Sequence, residues 1–165
     1  MLLGLALIGA AEKLHAADLI PREQVWAALQ AHAKHYRIEP AFIYALVAAE
    51  SNFNAAARNG DARGLLQLTP AAWRTVTSQP YEANVWEWRA NLRTGVDYLA
   101  YCRHALHEKK RFSYPLLLAA FHYGLDAVAA ANWDAGKFAP PDNAIYRELW
   151  RGNLAPAEPP ATKRM

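Results

Sequence analysis

Residues 40–70 read PAFIYALVAAESNFNAAARNGDARGLLQLTP, and this stretch decides the fold. Pro40 can open a helix, because the first helical position needs no N–H donor. In that helix Ile43, Val47 and Glu50 are spaced by four and then three residues, so they lie on one side. The stretch therefore predicts an apolar helix whose last turn directs a carboxylate toward the core or a cleft. The polar, glycine-containing residues 51–63 predict a loop or a small hairpin after it.

Helical signals also dominate the sequence on both sides of this stretch. Further helices are predicted to begin near Pro21, Pro70 and Pro115, to run through residues 92–106, and to cover residues 125–131 and 142–151. Thr69 before Pro70 is typical of an N-cap followed by the first helical residue. No stretch alternates with a period of two for long enough to form a central sheet. The sequence therefore predicts a compact, mainly α single domain.

Composition excludes several classes of protein. The 165 residues fit one domain, and with 53% hydrophobic and 20% charged residues the chain is not a disordered one. Lys plus Arg is 18 and Asp plus Glu is 15, giving 18 − 15 = +3. The basic residues are scattered, with one short run at residues 109–111, so we expect no nucleic-acid partner. The high aromatic content, which includes six Trp residues, could provide sugar-stacking platforms.

No metal or cofactor site is expected. The single cysteine, Cys102, excludes an internal disulfide and any site built from several cysteines. Two histidine pairs occur at helical spacing, His32 with His35 and His104 with His107. Neither pair has further ligands in a standard metal-binding pattern, so we interpret both as solvated helix faces.

The two ends of the chain differ from the middle. Residues 2–11 read LLGLALIGAA, which is too short to span a membrane as a helix. Residues 1–17 are therefore interpreted as either a secretory signal peptide or a first buried helix, although a basic segment before the apolar run is missing. Residues 18–154 are expected to form the domain. The proline-rich residues 155–165 are predicted to be a flexible tail.

Glu50 is the candidate for chemistry. Burial disfavours the charged form of a carboxylate and raises its pKa. A carboxylic acid that is still protonated near neutral pH is what a glycosidase uses to protonate a leaving oxygen. Spacing alone leaves an alternative open, in which Glu50 at the helix end turns to solvent or accepts hydrogen bonds from the loop at Ser51.

Sequence blocks around and after Glu50 resemble a known family. They are ESNFN at residues 50–54, ARGLLQLTP at residues 62–70, NLRTGVDYL at residues 91–99, LAAFHYG at residues 118–124, and the prolines 140 and 141 with Tyr146. In this order and spacing they resemble the signature of the family 1 lytic transglycosylases, the SLT domain. Each block is weak alone, but together they cover about residues 22–150.

The resemblance implies a lysozyme-like fold and an enzyme that acts on peptidoglycan glycan strands without a cofactor. Glu50 would be the single catalytic acid/base that cleaves the β-1,4 bond between N-acetylmuramic acid and N-acetylglucosamine. The C6 hydroxyl of the muramyl residue, rather than water, would close a 1,6-anhydro ring. The resemblance further implies a periplasmic or exported monomer without a stable membrane span, which could act within a cell-envelope secretion apparatus.

The resemblance also assigns substrate-binding roles to four residues besides Glu50. Ser51 would hydrogen-bond the acid or an N-acetyl group, or it is an ordinary polar residue at a helix end. Gln67 would bond the acetamido sugar, or it satisfies its own loop. Tyr146 would place its hydroxyl near Glu50, or it is a core residue. His122, where the family has Asn, would donate to a sugar carbonyl, or it is a packing residue.

Departures from the family pattern keep two alternatives open. Phe121 and His122 replace a Tyr and an Asn, which motivates a catalytically weak peptidoglycan-binding or scaffold module of a secretion system. Asp61 replaces a Gly eleven residues after Glu50. It is either a turn residue or a second carboxylate, and the latter would favour a hydrolytic, lysozyme-type muramidase.

Overall fold

Helices account for most of the architecture. The computed structural model describes residues 18–161. Its helices are α1 (Arg22–His35), α2 (Pro40–Ser51), α3 (Pro70–Val76), α4 (Tyr81–Asn84), α5 (Trp88–Glu108), α6 (Tyr114–Tyr123), α7 (Leu125–Ala130) and α8 (Ala144–Trp150), with a short 3-10 helix (Ala135–Lys137) before α8. Antiparallel strands β1 (Arg58–Asn59) and β2 (Ala62–Arg63) follow α2. The predicted mainly α architecture with a small hairpin after the second helix is confirmed.

Side-chain caps fix where several helices begin. The Thr69 hydroxyl oxygen accepts a hydrogen bond from the Ala72 N–H at 3.2 Å at the start of α3. The Ser113 hydroxyl oxygen accepts one from the Leu116 N–H at 3.3 Å at the start of α6. Each cap is followed by a proline in the first helical turn, where a missing N–H costs nothing. These local signals explain why the sequence predicted both helices.

Helix α2 forms the centre of the core. All six residues from Phe42 to Val47 are buried, and the helix packs against α1 and α8. The long α5 packs against α1, α3 and α6 around the same core. Because α2 is apolar on every side over this stretch, only its C-terminal turn can present a polar side chain without burying it in the core. That turn carries Glu50.

One buried amide fastens the loop after the hairpin to α5. Asn91 is fully buried, and its side-chain oxygen accepts from the Leu66 N–H at 2.9 Å. Its side-chain nitrogen donates to the carbonyls of Arg63 at 2.9 Å and Val85 at 3.1 Å. Gly64 lies against this amide with φ +76°, and a Cβ there would overlap the Asn91 side chain. The glycine is therefore required by close approach to Asn91 and by its left-handed backbone.

The structure describes the two ends of the chain only in part. The predicted signal peptide or first helix at residues 1–17 lies outside the described residues. Residues 155–161 form no helix or strand, and Ala157 packs against the core. The domain boundaries and the flexible tail therefore stay predictions. Within residues 18–161, no helix has both the length and the apolar character needed to cross a membrane.

Replacing Asn91 by Ala should destabilise the domain strongly. The substitution leaves one buried N–H and two buried carbonyls without their partner, so we expect the free energy of unfolding to fall by about 3 kcal/mol. Urea denaturation measures this loss. Asn84→Ala is the matched control, because Asn84 bonds only the exposed Pro80 carbonyl, and it should cost less than about 1 kcal/mol. Equal losses for the two variants would contradict the anchoring role of Asn91.

Candidate active site

Glu50 lies in the last turn of α2, at the wall of a cleft. The helix ends there because Asn52 adopts a left-handed conformation with φ +48°. The side chain of Glu50 is half-buried and lines a cleft of about 540 Å³. The cleft is bounded by the hairpin and the following loop, by α3 and α5, and by the segment from Phe121 to Asp126. The predicted orientation of Glu50 toward a cleft, rather than toward open solvent, is therefore what the structure shows.

Tyr146 brings a hydroxyl to this carboxyl group from the far end of the chain. Its O–H donates a hydrogen bond to Oε1 of Glu50, and the residue is 2% exposed. The position of Tyr146 is set by the start of α8, where the Asn143 side-chain oxygen accepts from the N–H groups of Ile145 at 2.9 Å and Tyr146 at 3.1 Å. The structure thus brings together the two residues that the sequence analysis paired.

Burial decides the protonation of Glu50. It raises the pKa of Glu50 from its ordinary value of 4.5 to about 7, and the hydrogen bond from Tyr146 lowers this pKa in part. No Lys or Arg is among the cleft-lining residues that the structure describes, so no nearby cation stabilises the carboxylate. The group can therefore both hold and release a proton near neutral pH. Burial and the Glu50 charge also raise the pKa of Tyr146, which stays a hydrogen-bond donor.

Gln67 lines the cleft from the loop after the hairpin, which Asn91 holds against α5. It adopts a left-handed backbone with φ +45°. Its side-chain nitrogen donates to the carbonyls of Ala57 at 3.0 Å and Gly64 at 2.8 Å. The loop thus uses both amide hydrogens and leaves the side-chain oxygen as an acceptor for a ligand. Gln67 both satisfies its loop and lines the cleft.

His122 lies on the cleft wall formed by the end of α6. Its ring packs edge-on against Tyr146, with ring centroids 5.7 Å apart, and also against Tyr123 at 4.7 Å. Although the side chain is exposed at the rim, burial of part of the ring lowers its pKa. The neutral form is therefore favoured at neutral pH, with one nitrogen donating and the other accepting. Phe121 lines the cleft beside it as an apolar wall.

Two residues considered from the sequence do not line the cleft. The Ser51 hydroxyl donates to the Val47 carbonyl of its own helix at 3.2 Å. Asp61 is exposed in the turn between β1 and β2, where its backbone carbonyl accepts from the Tyr81 hydroxyl at 3.0 Å. Neither side chain is among those that face the cleft. The turn interpretation of Asp61 agrees with this position.

The cleft also contains residues that the sequence analysis did not single out for the site. Asp126, at the start of α7, is an exposed carboxylate on its wall. Tyr98 and Tyr101 present stacked rings with centroids 6.2 Å apart, and Tyr101 and Tyr123 are 47% and 41% exposed. Tyrosine and phenylalanine, and not tryptophan, therefore form the aromatic walls in the described part of the cleft. Tyr98 and Tyr123 lie within family-like blocks, and that position is the sequence signal that could have identified them.

Metal ligation is not indicated by the described side chains. Within residues 18–161, no group of three or more His, Cys, Asp or Glu side chains is placed to hold a metal ion. The Cys102 thiol is fully buried, and burial raises its pKa to about 12. It is therefore an unreactive core residue at neutral pH.

Glu50→Gln should change how stability depends on pH. Because the folded-state pKa of Glu50 lies above the unfolded value, the unfolded chain releases this proton first, and stability falls as pH rises from about 4.5 to about 7. Relative to the Gln variant, the wild-type free energy of unfolding should decrease by about 3 kcal/mol between about pH 4 and about pH 8. Other titrating groups cancel in this difference. If the difference in free energy of unfolding between the two proteins does not change with pH, the pKa of Glu50 is the same in the folded and unfolded states.

Comparisons with known proteins agree with this geometry. The family model described as the transglycosylase SLT domain matches residues 27–142. A solved structure of an inactive mutant of the lytic transglycosylase Slt from Pseudomonas aeruginosa is similar, with a TM-score of 0.52 and 23% sequence identity. The match covers 78% of this chain and 22% of that one, so the chain spans about a fifth of the length of that protein. No curated protein matches the chain.

These findings confirm the resemblance and the lysozyme-like lytic transglycosylase fold that the sequence blocks implied. The matched residues include Glu50, Gln67 and His122, while Tyr146 lies just beyond them. Because the family model covers more than half of the chain, the protein belongs to the transglycosylase SLT domain family.

Proposed function

We propose that the protein is a peptidoglycan lytic transglycosylase in which Glu50 is the single acid/base. The observation that carries this proposal is a carboxyl group with a pKa raised to about 7, hydrogen-bonded to Tyr146 at the wall of a cleft. The bond cleaved is the β-1,4 linkage between N-acetylmuramic acid and N-acetylglucosamine. Since peptidoglycan lies outside the cytoplasmic membrane, an exported or periplasmic location is part of the proposal.

The reaction needs one protein carboxyl group in two protonation states. Neutral Glu50 donates its proton to the glycosidic oxygen as the C1–O bond breaks. The acetamido oxygen of the muramyl residue attacks C1 and holds the positive charge that develops there. The Glu50 carboxylate then takes the proton of the C6 hydroxyl, whose oxygen displaces the acetamido group and closes the 1,6-anhydro ring. Glu50 ends protonated, so the proton balance closes, and the intramolecular attack has a high effective molarity.

Tyr146 would orient the acid through its hydrogen bond. Because its hydroxyl donates to Oε1 of Glu50, Oε2 is left to carry the proton of the neutral acid. The same bond stabilises the carboxylate after the proton has left, which agrees with its lowering effect on the pKa of Glu50.

Gln67 and His122 are proposed to bind the sugars on either side of the acid. The free side-chain oxygen of Gln67 can accept from an acetamido N–H, and a ring nitrogen of His122 can donate to an acetamido carbonyl. Ser51 donates its hydroxyl hydrogen to the Val47 carbonyl and is not among the cleft-lining residues, so its contact with substrate stays a prediction. Monomeric action and a role within a secretion apparatus, both expected from the sequence, stay predictions.

A hydrolytic muramidase is the second candidate, and one observation favours it. A retaining hydrolase needs a second carboxylate about 5 Å from the acid, and an inverting one needs it further away. Asp126 is a second carboxylate on the cleft wall, whereas Asp61 is exposed in the hairpin turn and is not among the cleft-lining residues. If hydrolysis occurs, Asp126 rather than Asp61 is therefore the residue that the structure offers.

Product mass tests the proposed reaction. Digestion of purified sacculi should release muropeptides that are lighter by one water than lysozyme products, as measured by mass spectrometry. Glu50→Gln should lower the rate at least about a hundredfold, because general acid catalysis is lost. Asp18→Asn, a carboxylate change outside the cleft, is the control and should keep the rate. Hydrated reducing ends as the main product would refute the transglycosylase assignment.

Two amide variants separate transglycosylation from hydrolysis. Asp126→Asn and Asp61→Asn should both yield anhydro products, with less than about a tenfold effect on the rate, because neither carboxylate takes part in the chemistry. The ratio of anhydro to hydrated ends is the measurement. A loss of about a hundredfold or more in Asp126→Asn alone, from an enzyme that makes hydrated ends, would establish the hydrolytic alternative.

A further inference from the structure

A second groove adjoins the cleft and has the opposite charge character. It has a volume of about 670 Å³ and lies between the end of α1, the end of α3 and the middle of α5. Tyr101 lines both the groove and the cleft, and Thr75 of the cleft is followed directly by Val76 of the groove. The two depressions therefore meet along the same two helices. We call the second one the basic groove, defined by His35, Tyr36, Arg37, Val76, Asp97, Ala100, Tyr101, Arg103 and His104.

The charges divide sharply between the two depressions. Among the cleft-lining residues that the structure describes, the ionisable side chains other than tyrosine are Glu50, Asp126 and His122. The basic groove instead contains Arg37, Arg103 and two histidines. A neutral sugar chain needs no cation for binding, so the cleft can hold the glycan. The arginines of the adjoining groove can attract a negatively charged group that is attached to that glycan.

Within residues 18–161, neither Arg37 nor Arg103 forms an ion pair with a carboxylate. The ion pairs found within residues 18–161 are Arg147 with Asp142 and Arg151 with Glu148. Arg103 places its guanidinium over the Phe112 ring, 5.3 Å from the centroid, and its buried Nε–H has no acceptor. This Nε–H is out of reach of a ligand, so the terminal guanidinium N–H groups are the donors left for a planar anion, for which a guanidinium is well suited.

Asp97, the acidic residue of the groove, already accepts a hydrogen bond from within the protein. The Asp97 side-chain oxygen accepts a hydrogen bond from the Tyr36 hydroxyl at 2.8 Å, and this bond is the main cause of the raised pKa of Tyr36. With neutral histidines, the two arginines and Asp97 leave a local charge of 2 − 1 = +1. The groove is thus cationic without depending on the histidines.

We propose that the basic groove binds the carboxylates of the peptides that are attached to the glycan strand in the cleft. This inference rests on the proposed function, since it takes peptidoglycan as the ligand. Arg37 and Arg103 supply the positive charge that attracts the peptide carboxylates. Tyr101, which lines both depressions, lies where the peptide leaves the sugar chain. The enzyme would then prefer strands whose peptides are present and carry free carboxylates.

Binding to the full-length Glu50→Gln protein tests the proposal without cutting the ligand. Three probes are compared by titration calorimetry at one low ionic strength: soluble glycan strands with their peptides, the same strands after removal of the peptides, and peptide-bearing strands whose carboxylates have been amidated. The first should bind about five- to tenfold more tightly than the other two, which is typical of two partly exposed charge pairs. Equal affinity for all three probes would overturn the proposal.

Substitutions in the groove locate the effect. Arg37→Gln together with Arg103→Gln should abolish the tighter binding of strands with free peptide carboxylates. Replacement of both arginines by Lys should retain most of this preference. Lys109→Gln with Lys110→Gln is the matched control, because it removes the same charge outside the groove. An equal loss in this control would show a non-specific charge effect and refute the site. Arg37 is exposed, so Arg37→Gln alone provides a variant whose fold is not at risk and should lose part of the preference.

The outcome is separable from that of the proposed reaction. A preference for free carboxylates that depends on Arg37 and Arg103 supports the groove even if wild-type digestion gives hydrated ends. Conversely, anhydro products combined with equal affinity for the three probes would support the reaction and reject the groove.

Discussion

The burial of one carboxyl group at the end of an apolar helix is the constraint on which the site depends. Helix α2 is buried over residues 42–47, so its C-terminal turn is the first place where a polar side chain meets the cleft. Desolvation there raises the pKa of Glu50 to about 7, and the Tyr146 hydroxyl, carried by α8, opposes part of that rise. An acid that gives and regains a proton near neutral pH follows from this balance.

Other segments of the fold form the walls of the cleft around that acid. Asn91 joins the loop after the hairpin to α5, and this places Gln67 on one wall. The end of α6 places His122 on another, in edge contact with Tyr146. The walls come from segments that are far apart in sequence, so the site exists only in the assembled core. Beyond Tyr101 the charged lining residues change from Glu50 and Asp126 in the cleft to Arg37 and Arg103 in the basic groove.

Local signals explain what could be predicted from the sequence. Thr69 with Pro70 marked the start of α3 and Pro115 marked that of α6. The spacing of Ile43, Val47 and Glu50 indicated the orientation of the acid. The four residues of α4 are too few to show a helical period, and that helix was missed. Asp126 was missed as well, although its helix α7 was predicted, because only tertiary packing brings it to the cleft. The Ser51 hydroxyl bonds within its own helix, which spacing alone cannot distinguish from a role toward substrate.

The central claim is that the folded protein keeps the Glu50 carboxyl group protonated well above the ordinary range of a glutamate. A carbon-13 NMR titration of the side-chain carboxyl carbons, with Glu50 assigned by its absence in the Gln variant, measures this property directly. The account predicts a midpoint for Glu50 of about 7. A midpoint near 4.5, the ordinary value, would contradict it, because the group would then be a carboxylate throughout the neutral range and could not act as the acid.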